Sequence, residues 1–511
     1  MSIPPNTATS VEPSAELDTS PTAQSAAHKP QVWLSFHWVL AASAVLMVFV
    51  FYSVQQFGDP DIWWHLNNTE QLVTTGHLPT VDVYSYTARG ATWINHEWLG
   101  ELPYYFSFKL FGLRGLYGLS FLLSAGTVLA ILFRAYKHTG DIKNSFFVIV
   151  FCVLLTVVSY GPRMLIFGWL YMVFMLYALD RFREGNEKWI WTIPPLFCFW
   201  INTHGSWMIG LVVYCIIAAS GIFNFTVGMI EAKRWPKRKL ILFGIVLLIS
   251  AMALFINPYG YHLVKYPFDM AFHQKLNIQN VEEWASVDFH NVRGKIVFLL
   301  VAWLIATAMI SKRKWRLDEV LLLALGLYSG LTYIRFLFLA AILISPLLAS
   351  RLSFFPPYEE KIDKSWLNLA VIVLIFGWIG FRYPSAEKVQ NGLNDGFPAR
   401  SVEYLREHNI RDHVLAAYLW GGYLERNYRE MPVFIDSRVD IFEYNGTLKD
   451  YLDITTMKDP LALLDKYRIE YVYFPPKDPL PYLLRNTGNW EPIYEDKVSV
   501  LLKRKTPLAE K

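Results

Sequence analysis

"WVLAASAVLMVFVFYSVQQFGDPDIWWHLNN" (Trp38–Asn68) passes from an apolar run straight into dense polar chemistry. The apolar part, begun near Trp33, has the length of a membrane crossing, which takes roughly 20 residues. Its far end carries Asp59, Asp61, Trp63, Trp64 and His65 within seven residues. Two carboxylates one residue apart can share a divalent cation such as Mg or Mn, and one can serve as a general base. A lone aspartate after a membrane helix is ordinarily just solvated, and Asp-Pro starts a turn. The density of the cluster, with Trp93 and Trp98 nearby, favours a site.

The bulk composition agrees with a membrane protein. Of 511 residues 54% are hydrophobic and 18% charged, against about a quarter charged in soluble domains. The 19 tryptophans suit rings placed at bilayer interfaces. Cys152, Cys198 and Cys215 lie in apolar runs and read as small buried residues, not as a disulfide framework. Residues 1–30 are rich in Ser, Thr, Pro and Ala and are expected to form a disordered cytoplasmic tail. No cleavable signal peptide is evident, so the first apolar run reads as a retained helix.

About eleven segments qualify as transmembrane helices: near 33–54, 115–134, 145–160, 164–180, 189–203, 207–227, 238–256, 295–311, 317–332, 333–349 and 366–381. With the N-terminus inside, the inside loops include "RAYKHTGDIK", "RFREGNEK", "EAKRWPKRK" and "SKRKWR", all cationic. The outside loops carry few cations for their length, and an odd helix number puts the C-terminus outside. Three regions follow: the tail, a membrane domain over 31–381 with a first outside loop at 55–112, and an extracytoplasmic α/β domain over 382–511. In the last, "SVEYLREHN" and "PLALLDKYR" read as helices. "HVLAAYL", "MPVFID", "IEYVYFP" and "KVSVLLKR" read as strands.

The first outside loop adds Asp82, Asn95, His96, Glu97 and Glu101 to the polar cluster. "HEW" at His96–Trp98 lacks the second histidine of a zinc-protease motif. Arg163 in "GPRML", His204 in "NTHGSW" and Arg335 in "TYIRF" all fall at expected outside helix ends. Arginine suits a lipid phosphate because its planar fork gives paired hydrogen bonds; snorkelling to the interface is the plainer alternative. Glu282, Glu283, Trp284 and His290 are candidates to line a substrate groove, against a merely solvated loop. Asp436 and Arg438 in "FIDSR" end an expected strand, where a ligand contact and a local ion pair are both open.

A first transmembrane helix leading into an outside loop that opens with an aspartate resembles the GT-C superfamily of polytopic glycosyltransferases. "DPDIWWH" resembles the "DP-x-x-x-x-R" stretch of the oligosaccharyltransferase catalytic subunit, with His65 in place of the arginine. "TGHLPTVDVYSYT" resembles the continuation of that loop in bacterial members. "ARSVEYLREHNIRDHVLAAYLWGGYLERNYREMPVFIDSR" resembles the start of the soluble domain. The acidic residue of the sequon-reading Trp-Trp-Asp-Tyr-Gly motif is missing from Leu419–Tyr423, "LWGGY", which argues against protein N-glycosylation.

The resemblance implies an α-helical membrane protein with a C-terminal extracytoplasmic α/β domain in a bacterial inner membrane. It implies transfer of a sugar from a polyprenyl-phosphate donor to a glycan, lipid or protein acceptor at the outer face. Asp59 would be the leading catalytic carboxylate, as base or metal ligand with Asp61, supported by His96 and Glu97. His65, Arg163, His204, Glu283 and Arg335 would bind substrate. No nucleic-acid partner is expected. A transporter or flippase of a lipid-linked glycan, and a non-catalytic scaffold of envelope biogenesis, are the rival readings.

Overall fold

The computed structural model describes residues 32–54, 58–351, 355–356, 358–359 and 362–506. The expected disordered tail at 1–30 lies outside the described residues. Helices fall at every one of the eleven expected segments. Six are long and apolar enough to cross a membrane: Phe36–Val54, Leu113–Thr139, Leu165–Arg183, Val292–Ile310, Ile334–Arg351 and Ser365–Arg382. Ile142–Thr156 and Trp207–Ser220 are apolar but shorter. Ile193–Thr203, Lys237–Ala253 and Leu317–Thr332 have 11, 17 and 16 residues.

Packing separates the inner helices from the outer ones. In Ile334–Arg351, 78% of the apolar window is buried inside the protein, against 11% in Ser365–Arg382. The outer helix exposes Trp366 and Phe381. Apolar exposure of that extent is stable only against lipid or a partner.

The helix expected over 207–227 stops at Ser220. Beyond it Phe225–Val227 and Ile230–Ala232 form an antiparallel hairpin, joined by the parallel strand Trp315–Arg316. Gly228, with φ of 54°, supplies the turn. A continuous apolar run does not distinguish a strand from a buried helix by period, which is why the sequence reading ran on to 227.

The expected first loop is itself helical over Ile62–Thr75 and Trp98–Phe111. Toward the C-terminus a four-stranded sheet has the spatial order Val414–Ala416, Tyr471–Phe474, Val500–Arg504, Trp490–Glu495. The first two strands are parallel and the other pairs antiparallel. "MPVFID" does not join this sheet. Val433 instead bridges Ser85 of the first loop, with Tyr86 N–H donating to Val433 O at 3.0 Å. Trp490–Glu495 was missed because Pro492 sits at a register shift and the strand is largely exposed.

One apolar core unites the first loop with the C-terminal residues. Ile62, Trp63, Trp64, Trp93 and Tyr104 pack in the same cluster as Leu415, Trp420, Leu424, Phe434 and Val472. Arg426 pairs with Glu70 at 2.6 Å, and Arg438 with Asp82 at 2.7 Å. The glycines of "LWGGY" make the approach possible. A methyl on Gly422 would sit 3.0 Å from Pro60 O, and one on Gly421 would sit 2.5 Å from Asp436 Cβ. Gly421→Ala is therefore expected to cost about 1–3 kcal/mol by overpacking. A thermal melt of the purified variant, followed by tryptophan fluorescence, should show the loss. An unchanged midpoint would mean that the contact relaxes freely.

Candidate active site

Asp59 leaves the first helix in a turn closed by Asp61 N–H, which donates to Asp59 Oδ1 at 2.9 Å. Asp61 occupies the residue before the Ile62–Thr75 helix, so both carboxylates hang from one corner. Asp59 is 5% exposed. Arg163 Nε donates to its Oδ2, and Arg163 Nη1 pairs with Glu283. Three segments far apart in sequence thus meet at one guanidinium. The first helix helps hold that guanidinium in place. Tyr52 stacks on Tyr160 at 5.1 Å, and its hydroxyl accepts from Gly161 N–H at 3.1 Å, just before Arg163.

Glu97 is the centre of the second half of the site. Its carboxylate meets His65 Nε2 at 3.3 Å, His204 Nε2 at 3.2 Å and His96 Nε2 at 3.5 Å. His65 also meets Glu101 Oε1 through Nδ1 at 2.7 Å. Glu101 is held in turn by Asn95 Nδ2 at 2.9 Å and Thr69 Oγ1 at 3.2 Å. His204 receives Ser206 N–H at Nδ1 over 2.9 Å. When neutral it therefore carries its proton on Nε2, pointing at Glu97. Trp98 Nε1 donates to Asn202 Oδ1 at 2.9 Å and locks the two segments together.

Burial divides the titrations of this cluster. It pushes the Glu97 carboxyl up to about 7, partly opposed by the His65 charge. Burial works against the charged form of His65, but the hydrogen bond and charge of Glu101, then the charge of Glu97, leave it above the usual histidine value. Burial, then the His65 charge, push His96 down to about 3. Burial, then His96 and Arg335, hold His204 well below the usual value. Burial, then the Asp59 charge, raise Asp61.

Glu97 carries a testable sign. Its folded value lies above the ordinary 4.5, so the folded state binds more protons than the unfolded one between about 4.5 and 7. Its contribution to stability falls as pH rises through that window. Glu97→Gln should melt above the parent by a margin that grows from pH 5 to pH 8, reaching at most roughly 3 kcal/mol. A margin that shrinks with pH would contradict the assignment.

The structure places each candidate residue read from the sequence. Asp59, Arg163 and Glu283 form one network, and His65, His96, Glu97 and His204 the other. Asp61 is coupled by charge to both, through Asp59 and Arg163 on one side and His65 on the other. Arg335 lies over the Trp284 ring at 4.3 Å and acts electrostatically on Glu97 and Asp61. It makes no ion pair among the described residues. His65 is not a surface contact residue: it is 3% exposed and enclosed by two glutamates. His290 pairs with Asp288, its side chain is 99% exposed, and among the described residues it meets neither network.

Further residues adjoin the site without having been assigned a role in it from the sequence. Glu101, named in the polar cluster without a role, stands four residues from Glu97, a helical spacing that puts both on one face. Tyr266 stacks on His96 at 4.6 Å and donates to Asp440 Oδ2 at 3.0 Å. No sequence signal marks that pair. Asp436 and Arg438 form a buried ion pair that also takes in Asp82, which makes it a link between the first loop and the C-terminal residues.

At the metal site expected at Asp59 and Asp61 the fold brings in a guanidinium beside the carboxylates. One Asp59 oxygen faces a backbone N–H and the other a guanidinium. Among the described residues no group of three or more His, Cys, Asp or Glu side chains is arranged to hold a metal ion.

No protein-family model matches the sequence, and no curated protein matches it. Solved structures do match the fold. The oligosaccharyltransferase AglB from Archaeoglobus fulgidus, in complex with an inhibitory peptide and a dolichol-phosphate, is 10% identical, with a TM-score of 0.51. The match covers 86% of this chain and 69% of AglB. ArnT from Cupriavidus metallidurans bound to undecaprenyl phosphate is 12% identical over 91% of this chain and 98% of ArnT, at a TM-score of 0.48. The likeness to the oligosaccharyltransferase AglB is one of fold.

Proposed function

We propose that this protein is a membrane glycosyltransferase that moves a sugar from a polyprenyl-phosphate donor to an acceptor hydroxyl. The observation that carries the reading is the meeting of Asp59 with Arg163 at the end of the first helix, beside the Glu97–imidazole cluster and under Arg335. In the transfer, the acceptor oxygen forms the new bond to the sugar's anomeric carbon and gives its proton to Asp59. The old anomeric C–O bond breaks, and its electron pair leaves on the polyprenyl phosphate. Arg163 and Arg335 neutralise the charge that develops there, the role in which fixed positive groups contribute most. Glu97 and its three histidines hold the acceptor side of the site and set its protonation.

The polar cluster lies at the end of the helices and not at mid-span, which favours a transferase over a transporter. The dolichol-phosphate bound to AglB belongs to the lipid class proposed here for the leaving group. We place the site at the extracytoplasmic face of a bacterial inner membrane, with eleven crossings, the N-terminus inside and residues 382–511 outside. The basis is the cationic character of the opposite loops.

The test is incubation of purified protein with a panel of labelled polyprenyl-phosphate sugars in lipid, with release of polyprenyl phosphate as the readout. Release with at least one donor is expected. No release from any donor, with or without candidate acceptors, would remove the reading.

A further inference from the structure

The end of the molecule remote from the candidate site holds a second polar cleft. Leu165–Arg183 begins beside Arg163 and ends at the cleft, 19 residues later, or about 28 Å at helical rise. Trp207–Ser220 likewise starts beside His204 and ends there, and Leu317–Thr332 starts there and ends near Arg335. The cleft has a volume of about 280 Å³, and its wall includes Arg183, Lys233, Lys239 and Arg316 against Glu231 and Asp318.

The charges do not cancel. Asp318 pairs with Arg183 at 2.8 Å and with Arg316 at 3.0 Å, and Arg316 also reaches Glu319 at 3.7 Å, a carboxylate already held by Arg351 at 2.8 Å, so three guanidiniums face two carboxylates. Glu231 meets Lys233 at 3.5 Å. Lys239 donates to the terminal carbonyls Phe182 O and Arg183 O, both at 3.3 Å, and finds no carboxylate among the described residues. Trp235 closes the wall, with the Arg183 guanidinium 5.4 Å from its ring centre.

The hairpin beside the cleft is apolar where a solvent-facing turn would be polar. Ile222, Phe223, Phe225, Val227 and Met229 are 54%, 50%, 38%, 68% and 42% exposed. Its position next to the end of the bilayer-length helix Leu165–Arg183 puts this patch at the boundary between headgroups and acyl chains, where such surfaces are stable.

We propose that this cleft binds the phosphate of an anionic phospholipid headgroup, with the 222–229 hairpin seated among the acyl chains of the same leaflet. The surplus cations match a phosphodiester anion. The adjoining apolar hairpin matches the rest of that lipid and has no use for a soluble anion. The site is independent of the transfer chemistry, since none of its residues touches the candidate active site.

Native mass spectrometry of the full chain, released from nanodiscs of mixed phosphatidylglycerol and phosphatidylcholine, tests this. Selective retention of phosphatidylglycerol is expected. The double variant Lys233→Gln, Arg316→Gln should lower that retention roughly twenty-five-fold, about fivefold for each cation removed. Phe225→Ser with Val227→Ser changes only exposed side chains and should also lower retention. Soluble glycerol phosphate should not displace the lipid. Equal retention of both lipids, retention unchanged in both double variants, or displacement by glycerol phosphate regardless of the hairpin would each overturn the proposal. Because the readout is lipid retention, its failure is distinguishable from a failure of the transfer reading.

Discussion

Arg163→Gln is expected to slow glycosyl transfer by about a hundredfold to a thousandfold, the range seen when one fixed stabiliser of developing charge is removed. Arg163 faces Asp59 and Glu283 together, so its loss also leaves two carboxylates without their shared partner. That structural cost can reach about 3–5 kcal/mol in a buried setting, and it must be separated from the chemistry. Arg163→Gln combined with Glu283→Gln removes one of the orphaned charges and should recover much of the melting temperature. Transfer should stay slow in that double variant, because the phosphate still lacks its cation. Arg163→Lys keeps the charge but loses the planar fork and should fall between. Rates and melts of the three proteins decide the matter. A double variant that regains full transfer would assign Arg163 a purely structural role.

The sequence was most legible where hydrophobicity alone decides. Runs such as 33–54 and 366–381 need only length and apolar character, and helices stand at both as Phe36–Val54 and Ser365–Arg382. It was least legible where an apolar run turns strand-like, as at Phe225–Val227, or where pairing crosses long stretches of chain. "MPVFID" reads as a strand, yet its partner is Ser85 of the first loop, a choice set by tertiary packing.

The candidate site shows the same division. Asp59, Arg163, His204 and Arg335 could be assigned to one face from helix ends. That Arg163 would lie against Asp59, 104 residues away, could not. Nor could the convergence of His65, His96 and His204 on Glu97, which depends on how Trp98–Phe111 packs against Ile193–Thr203. The two-aspartate spacing suggested a metal, but it does not encode the guanidinium that meets Asp59 in the fold.

Asp59→Asn carries the central claim. The substitution keeps the size of the side chain and an oxygen able to accept Asp61 N–H, while it removes the negative charge opposite Arg163 and the proton acceptor. Its NH2 then faces Arg163, which keeps only Glu283 as a partner, so a modest loss of stability is expected, while loss of a general base costs on the order of a hundredfold or more in rate. Glu97→Gln removes a group placed to orient and protonate the acceptor side, and Asp61→Asn a neighbour of the base, so both should cost less. The decisive measurement is single-turnover release of polyprenyl phosphate from one labelled donor by the parent, Asp59→Asn, Asp61→Asn and Glu97→Gln proteins in the same lipid. The account predicts the largest loss for Asp59→Asn, with its melting temperature within a few degrees of the parent. Full activity in Asp59→Asn alongside abolition in Asp61→Asn or Glu97→Gln would contradict it and move the catalytic carboxylate elsewhere in the loop.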